Sequence, residues 1–132
     1  WNAREIFLNQ RFETARTELG CWQSLSESNE ELPPLAGLTM TVKACFDTEG
    51  WVTSCGSKAL QDAAPAITSA ALVHRLRLGG ATLLAQTNMT EFAYGALGVN
   101  THFGTPRTPL DVTQFRIPPD MRPQMDLFDL AS

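Results

Sequence analysis

Apolar residues recur at helical spacing near the start of the chain. They fall at i, i+4, i+7 and i+11, which places them on one face of a helix: Leu8, Phe12, Ala15 and Leu19. Gly20 follows, where a glycine adopts the left-handed conformation that commonly ends a helix. The pattern predicts a helix over residues 2–19. Residues 21–34 are rich in Ser, Glu, Asn and Pro, which is typical of a polar connector.

A different period begins at residue 38. Leu38, Met40 and Val42 alternate with polar residues, and this period of two predicts a β-strand with one buried face. Lys43 stands at its carboxyl end. The pattern alone favours a lysine that marks where the strand reaches the surface, with its stem along apolar neighbours.

The next predicted elements are a loop, a helix and a strand. Turn residues over 47–57 predict a loop, with a short helix from Ser57 onward. Residues 69–78 predict a helix with Ser69 as N-cap. Its predicted buried face consists of Leu72, Val73 and Leu76, and Gly79 and Gly80 are predicted to end it. Residues 81–86 predict a short apolar strand.

Asn88 and Glu91 have the spacing of a capping box and predict a last helix. The predicted order is therefore α, β, loop, α, β, α, which favours an α/β fold with a parallel sheet and right-handed crossovers. Ligands of such sheets bind at the carboxyl ends of the strands. That edge would bring together Lys43 and residues 87–89.

Composition narrows the possible partners. The 132 residues carry a net charge of −4, so charge gives no reason to expect nucleic acid or an anionic membrane as partner. No apolar stretch approaches the ~20 residues of a membrane span. The chain begins with Trp1 and lacks a signal-peptide pattern. We expect a cytoplasmic location and an excerpt of a longer protein.

The cysteines do not indicate a disulfide framework or a zinc site. The chain has an odd number of cysteines, and no two of them form a C-x-x-C pair: Cys21, Cys45 and Cys55. A weaker alternative is a cysteine hydrolase, with Cys55 as the nucleophile and His74 or His102 as its base. The glycines at 95, 98 and 104 fit no phosphate-binding motif.

Several longer phrases carry a family resemblance. They are "PLAGLTMTVKACFDTEG", "TSCGS", "RLRLGGATLLAQTNMTEFAYGALG" and "GTPRTPLD". In order and spacing they resemble the amidase signature family, over about residues 33–111. The resemblance implies the amino-terminal part of an amidase-signature fold, with a parallel or mixed sheet flanked by helices and left incomplete.

The resemblance also implies a chemistry. Family members hydrolyse amide bonds with a serine nucleophile, a second serine whose peptide bond is cis, and a lysine. Lys43 occupies the lysine position of the V-K phrase. A serine hydroxyl needs a neighbouring base, and burial favours the neutral lysine that can act as one. Met89 and Thr90 are candidates for the substrate cleft, with packing as the alternative. The resemblance implies no metal and no cofactor.

The chain departs from the family at two places. Ala44 and Cys45 stand where the family often has Asp-Asn after the lysine, which removes a polar group that would support the base. After Arg116-Ile117-Pro118, the expected Gly-Gly-Ser-Ser is replaced by Pro119, Asp120 and Met121. After Gly104 there is no glycine, and the only serine is Ser132.

These departures predict that both catalytic serines are missing, because Ser54 and Ser57 do not align with them. We expect a truncated amidase fragment that is inactive alone. The alternative is a non-catalytic truncated product, or a fragment that associates with another chain. The resemblance implies a small-molecule amide as the substrate of the full-length family, but which amide it is and the oligomeric state are left open.

The sequence suggests three regions. Residues 1–32 are expected to form the helix and the connector, and residues 33–112 the amidase-like α/β segment. Residues 113–132 do not match the family and are expected to be poorly ordered.

Overall fold

The computed structural model of the chain describes residues 3–106, and its side chains from residue 5. The expectations for residues 113–132, including the departure after Pro118, lie outside the described residues. In chain order the elements are α1 (Ala3–Ile6), β1 (Phe7–Gln10), α2 (Phe12–Glu27), β2 (Thr39–Lys43), α3 (Ala71–Leu78) and β3 (Thr82–Thr87). Two short 3₁₀ helices cover Lys58–Leu60 and Glu91–Ala93.

The three strands form one mixed sheet in the order β1-β3-β2. β2 runs parallel to β3, and β1 runs antiparallel to β3 on its other side. The α/β class and the incomplete sheet flanked by helices are therefore confirmed. The central strand β3 is the most deeply buried, because it alone has a strand on each side.

Helices cover both faces of β3. On one face, Val73 of α3 packs with Val42 and Leu83 in a buried cluster. Partly buried side chains extend this cluster: Met40, Phe46, Trp51 and Ala70. On the other face, Leu84 and the buried Ala15 of α2 border one concavity. Successive strand residues point to opposite faces, so Leu83 and Leu84 join the two layers.

The predicted helix over residues 2–19 and the connector that follows it are wrong in detail. Residues 7–10 are strand β1, and α2 continues to Glu27 with Gly20 inside it. β1 pairs with β3 from Phe7–Thr87 to Gln10–Ala85. Pairing along β3 outweighs the helical period of this segment, as tertiary context commonly outweighs local propensity. One of the three strands thus comes from residues 1–32.

The helix predicted over residues 69–78 is confirmed within two residues, but two of its details are wrong. The N-cap position is Ala70, and no side chain caps the helix. Ser69 instead accepts a hydrogen bond from the Glu49 backbone N–H at 3.0 Å. Leu72 is 55% exposed, whereas Val73 is 1% exposed. Val73 is the residue of α3 that packs with Val42 and Leu83 of the sheet, so only part of the predicted apolar face is covered.

The predicted last helix is also wrong. Only the 3₁₀ turn Glu91–Ala93 forms, and Phe92 within it has a positive φ of 50°. The Asn88 side chain donates to the carbonyl oxygens of Glu5 at 3.0 Å and Gly104 at 2.8 Å. Asn88 and Glu91 therefore make tertiary contacts in place of a capping box.

Candidate active site

The carboxyl edge of the sheet contains Lys43, as the sequence predicts. Lys43 is the last residue of β2, and it pairs with Thr87, the last residue of β3. The Thr87 hydroxyl donates to the Val42 carbonyl oxygen at 3.3 Å. The two strands therefore end side by side, and the segment 88–90 leaves from the same edge.

Lys43 is exposed in the described part of the chain. β2 is an edge strand whose partner among residues 3–106 is β3, so one side of the strand is uncovered. Residues 3–106 therefore do not provide the burial that would favour a neutral lysine.

Ala44 fixes the exit of the chain from β2. Its backbone N–H donates to the Thr87 carbonyl oxygen at 3.0 Å, and its own carbonyl oxygen accepts from the Cys55 N–H at 3.0 Å. The Ala44 side chain is completely buried. At this position, where the resemblance predicts Asp, the methyl group of Ala44 fills a closed space and offers no polar support to the lysine.

Ser54 and Ser57 lie in the loop that Ala44 contacts. Both are buried, with 7% and 1% of their surface exposed. The Ser57 hydroxyl donates to Glu91 Oε1 at 2.5 Å and accepts from the Ala59 N–H at 3.2 Å. This hydroxyl caps the 3₁₀ helix Lys58–Leu60. With both of these bonds made, the Ser57 hydroxyl links the 3₁₀ helix to Glu91.

Glu91 joins two loops. Its Oε1 accepts from Ser57, and its Oε2 lies 3.3 Å from His102 Nε2. The hydrogen bond from Ser57 lowers the pKa of Glu91 below its ordinary value. Partial burial raises this pKa, and the contact with His102 lowers it further. The carboxylate lies between the serine and the histidine. In a catalytic triad the histidine occupies the middle position, so this arrangement does not activate Ser57.

Asn100 is a second junction, and no sequence motif points to it. It is 3% exposed. Its amide nitrogen donates to the carbonyl oxygens of Gly56 at 2.8 Å and Met89 at 2.7 Å. Its amide oxygen accepts from the N–H groups of His102 at 2.8 Å and Phe103 at 2.9 Å. A lone Asn in a turn-rich segment gives no sequence signal for such a role.

Met89 and Thr90, the cleft candidates, lie beside this junction. Met89 is 6% exposed, and its carbonyl oxygen is one of the acceptors of Asn100. Thr90 is partly buried and borders a concavity of about 530 Å³ together with Phe92, Tyr94 and His102. A role of either residue in the substrate cleft stays a prediction.

The alternative nucleophile Cys55 has an unfavourable environment. Burial raises the pKa of its thiol, and the charges of Cys45 and Asp47 raise it further. A reactive cysteine needs the opposite shift, toward thiolate. His102 contacts Glu91, and His74 is exposed on α3. These observations disfavour the cysteine-hydrolase alternative.

Two kinds of feature are absent from residues 3–106. No group of three or more His, Cys, Asp or Glu side chains within this range is arranged to hold a metal ion. None of the described helices is long and apolar enough to cross a membrane.

A protein-family model matches most of the chain. The amidase family model matches residues 5–116. The chain belongs to the amidase signature family.

Curated relatives cover most of this chain. The 1-carboxybiuret hydrolase subunit AtzE of Pseudomonas sp. (strain ADP) is 46% identical over 105 residues, which are 80% of this chain and 23% of that protein. A glutamyl-tRNA(Gln) amidotransferase subunit of Acidothermus cellulolyticus is 42% identical over 91 residues, 69% of this chain and 17% of that protein. This amidase-family chain therefore spans about a quarter or less of the length of these relatives.

Solved structures show the same fold. A structure described as a vestigial protein complex that reveals the origins of an s-triazine catabolic enzyme matches with a TM-score of 0.72 and 44% identity. The match covers 80% of this chain and 23% of that one. A crystal structure of an amidase matches with a TM-score of 0.68 and 36% identity, over 82% of this chain and 24% of that one.

Proposed function

We propose that this chain is the amino-terminal part of an enzyme that hydrolyses the C–N bond of a carboxamide, with Lys43 as the base. The observation that carries the proposal is the pairing of Lys43 with Thr87, which places the lysine at the carboxyl edge of a sheet with the amidase fold. That edge is where ligands bind in sheets of this kind.

The chemistry requires a neutral lysine. The lysine accepts a proton through the second serine, and the first serine then attacks the carbonyl carbon of the amide. Burial disfavours the ammonium form and so favours the base. In the proposed complete enzyme, further residues cover the exposed side of β2 and bury Lys43.

We also propose that the 132 residues do not hydrolyse amides unaided. The sequence has no glycine after Gly104 and no serine between Gly104 and Ser132, so it lacks the segment expected to hold both serines. The loss of one oxyanion-hole donor alone costs about 10²–10³ in rate. The absence of both serines as well removes the nucleophilic step.

The proposed substrate class is a carboxamide. The relatives bear names as different as a carboxybiuret hydrolase and an amidotransferase, and C–N chemistry is what these names share. The described residues hold no contact that selects among such amides.

The test is a chimera in which residues 5–104 replace the matching segment of an active full-length amidase. We expect ammonia release from that enzyme's amide substrate, and Lys43→Ala should lower kcat/KM by about 10²–10⁴-fold. Lys58, the other lysine of the chain, is exposed on a 3₁₀ helix, and Lys58→Ala is the matched control. Equal losses in both variants, or an active Lys43→Ala chimera, would refute the base assignment.

The alternative is a non-catalytic fragment that associates with another chain. Large apolar side chains support it because they are strongly exposed, among them Ile67 at 90%, Tyr94 at 94% and Leu97 at 82%. An inactive but folded chimera would favour this alternative.

A further inference from the structure

Two cysteines lie on either side of the loop that follows Lys43. Cys45 is exposed and Cys55 is partly buried, and both thiols are free. Cys45 is two residues from Lys43, and Cys55 belongs to the loop that also contains Ser57. The proposed function uses neither thiol.

A backbone hydrogen bond brings the two cysteines together. The Cys55 N–H donates to the Ala44 carbonyl oxygen at 3.0 Å. Across a trans peptide, that oxygen and the Cα of Cys45 are on the same side of the C–N bond. Standard bond lengths then limit the Cα–Cα separation of the two cysteines to roughly 7 Å. Disulfides join residues whose Cα atoms are about 4.4–6.8 Å apart.

The backbone of Cys55 is held from several directions. Its carbonyl oxygen accepts from the Phe92 N–H at 2.8 Å, and its φ is 51°. The carbonyl oxygen of the next residue, Gly56, accepts from Asn100. The position of Cys55 next to residues 44 and 45 is therefore fixed before any bond between the sulfur atoms forms.

The charges agree with this proximity and indicate an order of reaction. The pKa of Cys55 is raised by burial first, and then by the charge of the Cys45 thiolate and of Asp47. The thiolate of Cys45 is thus near enough to be felt at Cys55. Cys45 is the more accessible thiol, so it is the one that reacts first with a reagent in solution.

We infer that Cys45 and Cys55 form a thiol pair that a low-molecular-weight disulfide oxidises to an intramolecular disulfide. The Cys45 thiolate attacks one sulfur of the reagent and releases one thiolate. The Cys55 thiolate then attacks the Cys45 sulfur and displaces the second. Two protein thiols are oxidised, and one reagent disulfide is reduced to two thiols.

The bond would tie the exit of β2 to the loop held by Asn100. It would therefore restrict the backbone directly after Lys43. The inference concerns the two thiols and stands whether or not Lys43 is a catalytic base.

The experiment uses the full 132-residue chain with glutathione buffers of defined redox ratio. Residues 44–58 contain both cysteines and no internal Lys or Arg, so trypsin releases them as one peptide. After thiol quenching, we expect a form of this peptide that is two hydrogen atoms lighter than the reduced peptide. Because the fold brings the two cysteines together, the equilibrium constant for disulfide formation with glutathione should be at least about tenfold higher in native buffer than in concentrated guanidinium chloride.

Variants separate this pair from simple thiol reactivity. Cys55→Ser should leave glutathione attached to Cys45, and Cys21→Ser should leave the pair unchanged, since Cys21 lies on α2. A wild-type peptide that retains glutathione without losing two hydrogen atoms would overturn the inference. Equal equilibrium constants in native and denaturing buffer would also overturn it.

Discussion

The candidate site consists of two regions that differ in how completely they are tied into the fold. The loop junction, which we define as Gly56, Ser57, Glu91 and Asn100, joins three segments through side-chain hydrogen bonds. The end of β2, with Lys43, is exposed and paired on one side within residues 3–106. The fold thus prearranges the surroundings of the proposed base and leaves the base itself uncovered.

This difference has a physical reason. Two members of the junction, Ser57 and Asn100, are buried polar groups, and each of them needs a partner because an unpaired buried group costs stability. A lysine at a strand end has water as its partner and requires nothing from the protein. Substitutions in the two regions should therefore have very different effects on stability.

The largest effect is expected for Gly56→Ala. A Cβ at this position would lie 2.6 Å from the Met89 carbonyl oxygen, and the φ of Gly56 is +68°. We expect a loss of about 4 kcal/mol in the free energy of unfolding, from the clash and the left-handed backbone together. Denaturant unfolding followed by circular dichroism measures it.

Gly98→Ala is the matched control. Gly98 has a φ of +69° and open space around the position of a Cβ. The left-handed backbone alone should cost about 1–2 kcal/mol. Similar losses in the two variants would show that the contact with Met89 is not tight.

The next effect is expected for Asn100→Ala. The change leaves two carbonyl oxygens and two N–H groups without their partner, in an environment where Asn100 is 3% exposed. We expect a loss of about 3 kcal/mol. Thr101→Ala, at the exposed neighbour, should stay within about 0.5 kcal/mol of the wild type. A small effect of Asn100→Ala would contradict the claim that the junction contributes more to stability than the end of β2.

A smaller effect that depends on pH is expected for Glu91→Gln. The pKa of Glu91 is lowered in the folded state, first by the hydrogen bond from Ser57, from an ordinary value of 4.5. A lowered carboxyl pKa stabilises the fold above the unfolded-state pKa, and the contribution is lost as pH falls through the folded-state value. The wild type should therefore be more stable than Glu91→Gln near neutral pH, and the difference should disappear in acid.

Urea midpoints of the two proteins across the acid range measure this difference. Ser57→Ala removes the main cause of the lowered pKa, so the loss of stability on acidification that depends on Glu91 should be smaller in this variant than in the wild type. A difference between wild type and Glu91→Gln that does not change with pH would contradict the role of the charge.

The smallest effect is expected for Lys43→Ala. Lys43 is exposed and forms no ion pair with another residue in the described range. Its removal should change the free energy of unfolding of the 132-residue chain by less than about 0.5 kcal/mol. A large loss would mean that the lysine stabilises this segment, and the contrast between the two regions would fail.

Much of the fold could be predicted from local patterns. The alternation over 38–43 and the apolar run over 81–86 predict β2 and β3, and both strands form within one residue of the expected limits. Their parallel pairing follows from the helix between them, and it places Lys43 beside Thr87. The role proposed for Lys43 rests on the resemblance, because the pattern around it indicates by itself an ordinary surface lysine.

The remaining features depend on contacts between distant segments. Phe7–Gln10 has a helical apolar period, yet it becomes a strand because β3 offers a free edge. Asn88 and Glu91 have capping-box spacing, yet their side chains bind Gly104 and Ser57. Asn100 gives no local signal at all. In each case the deciding partner lies far away in the sequence.

By itself, the sequence determined the α/β class, the two parallel strands, the family and the place of the lysine. These features depend on periodicity and on phrases of neighbouring residues. Only the tertiary structure decided that β1 completes the sheet, that Ser57 and Asn100 hold the loops, and that Lys43 is exposed. Buried polar groups and open strand edges take whatever partner the fold brings within hydrogen-bond distance, and no local pattern records that partner.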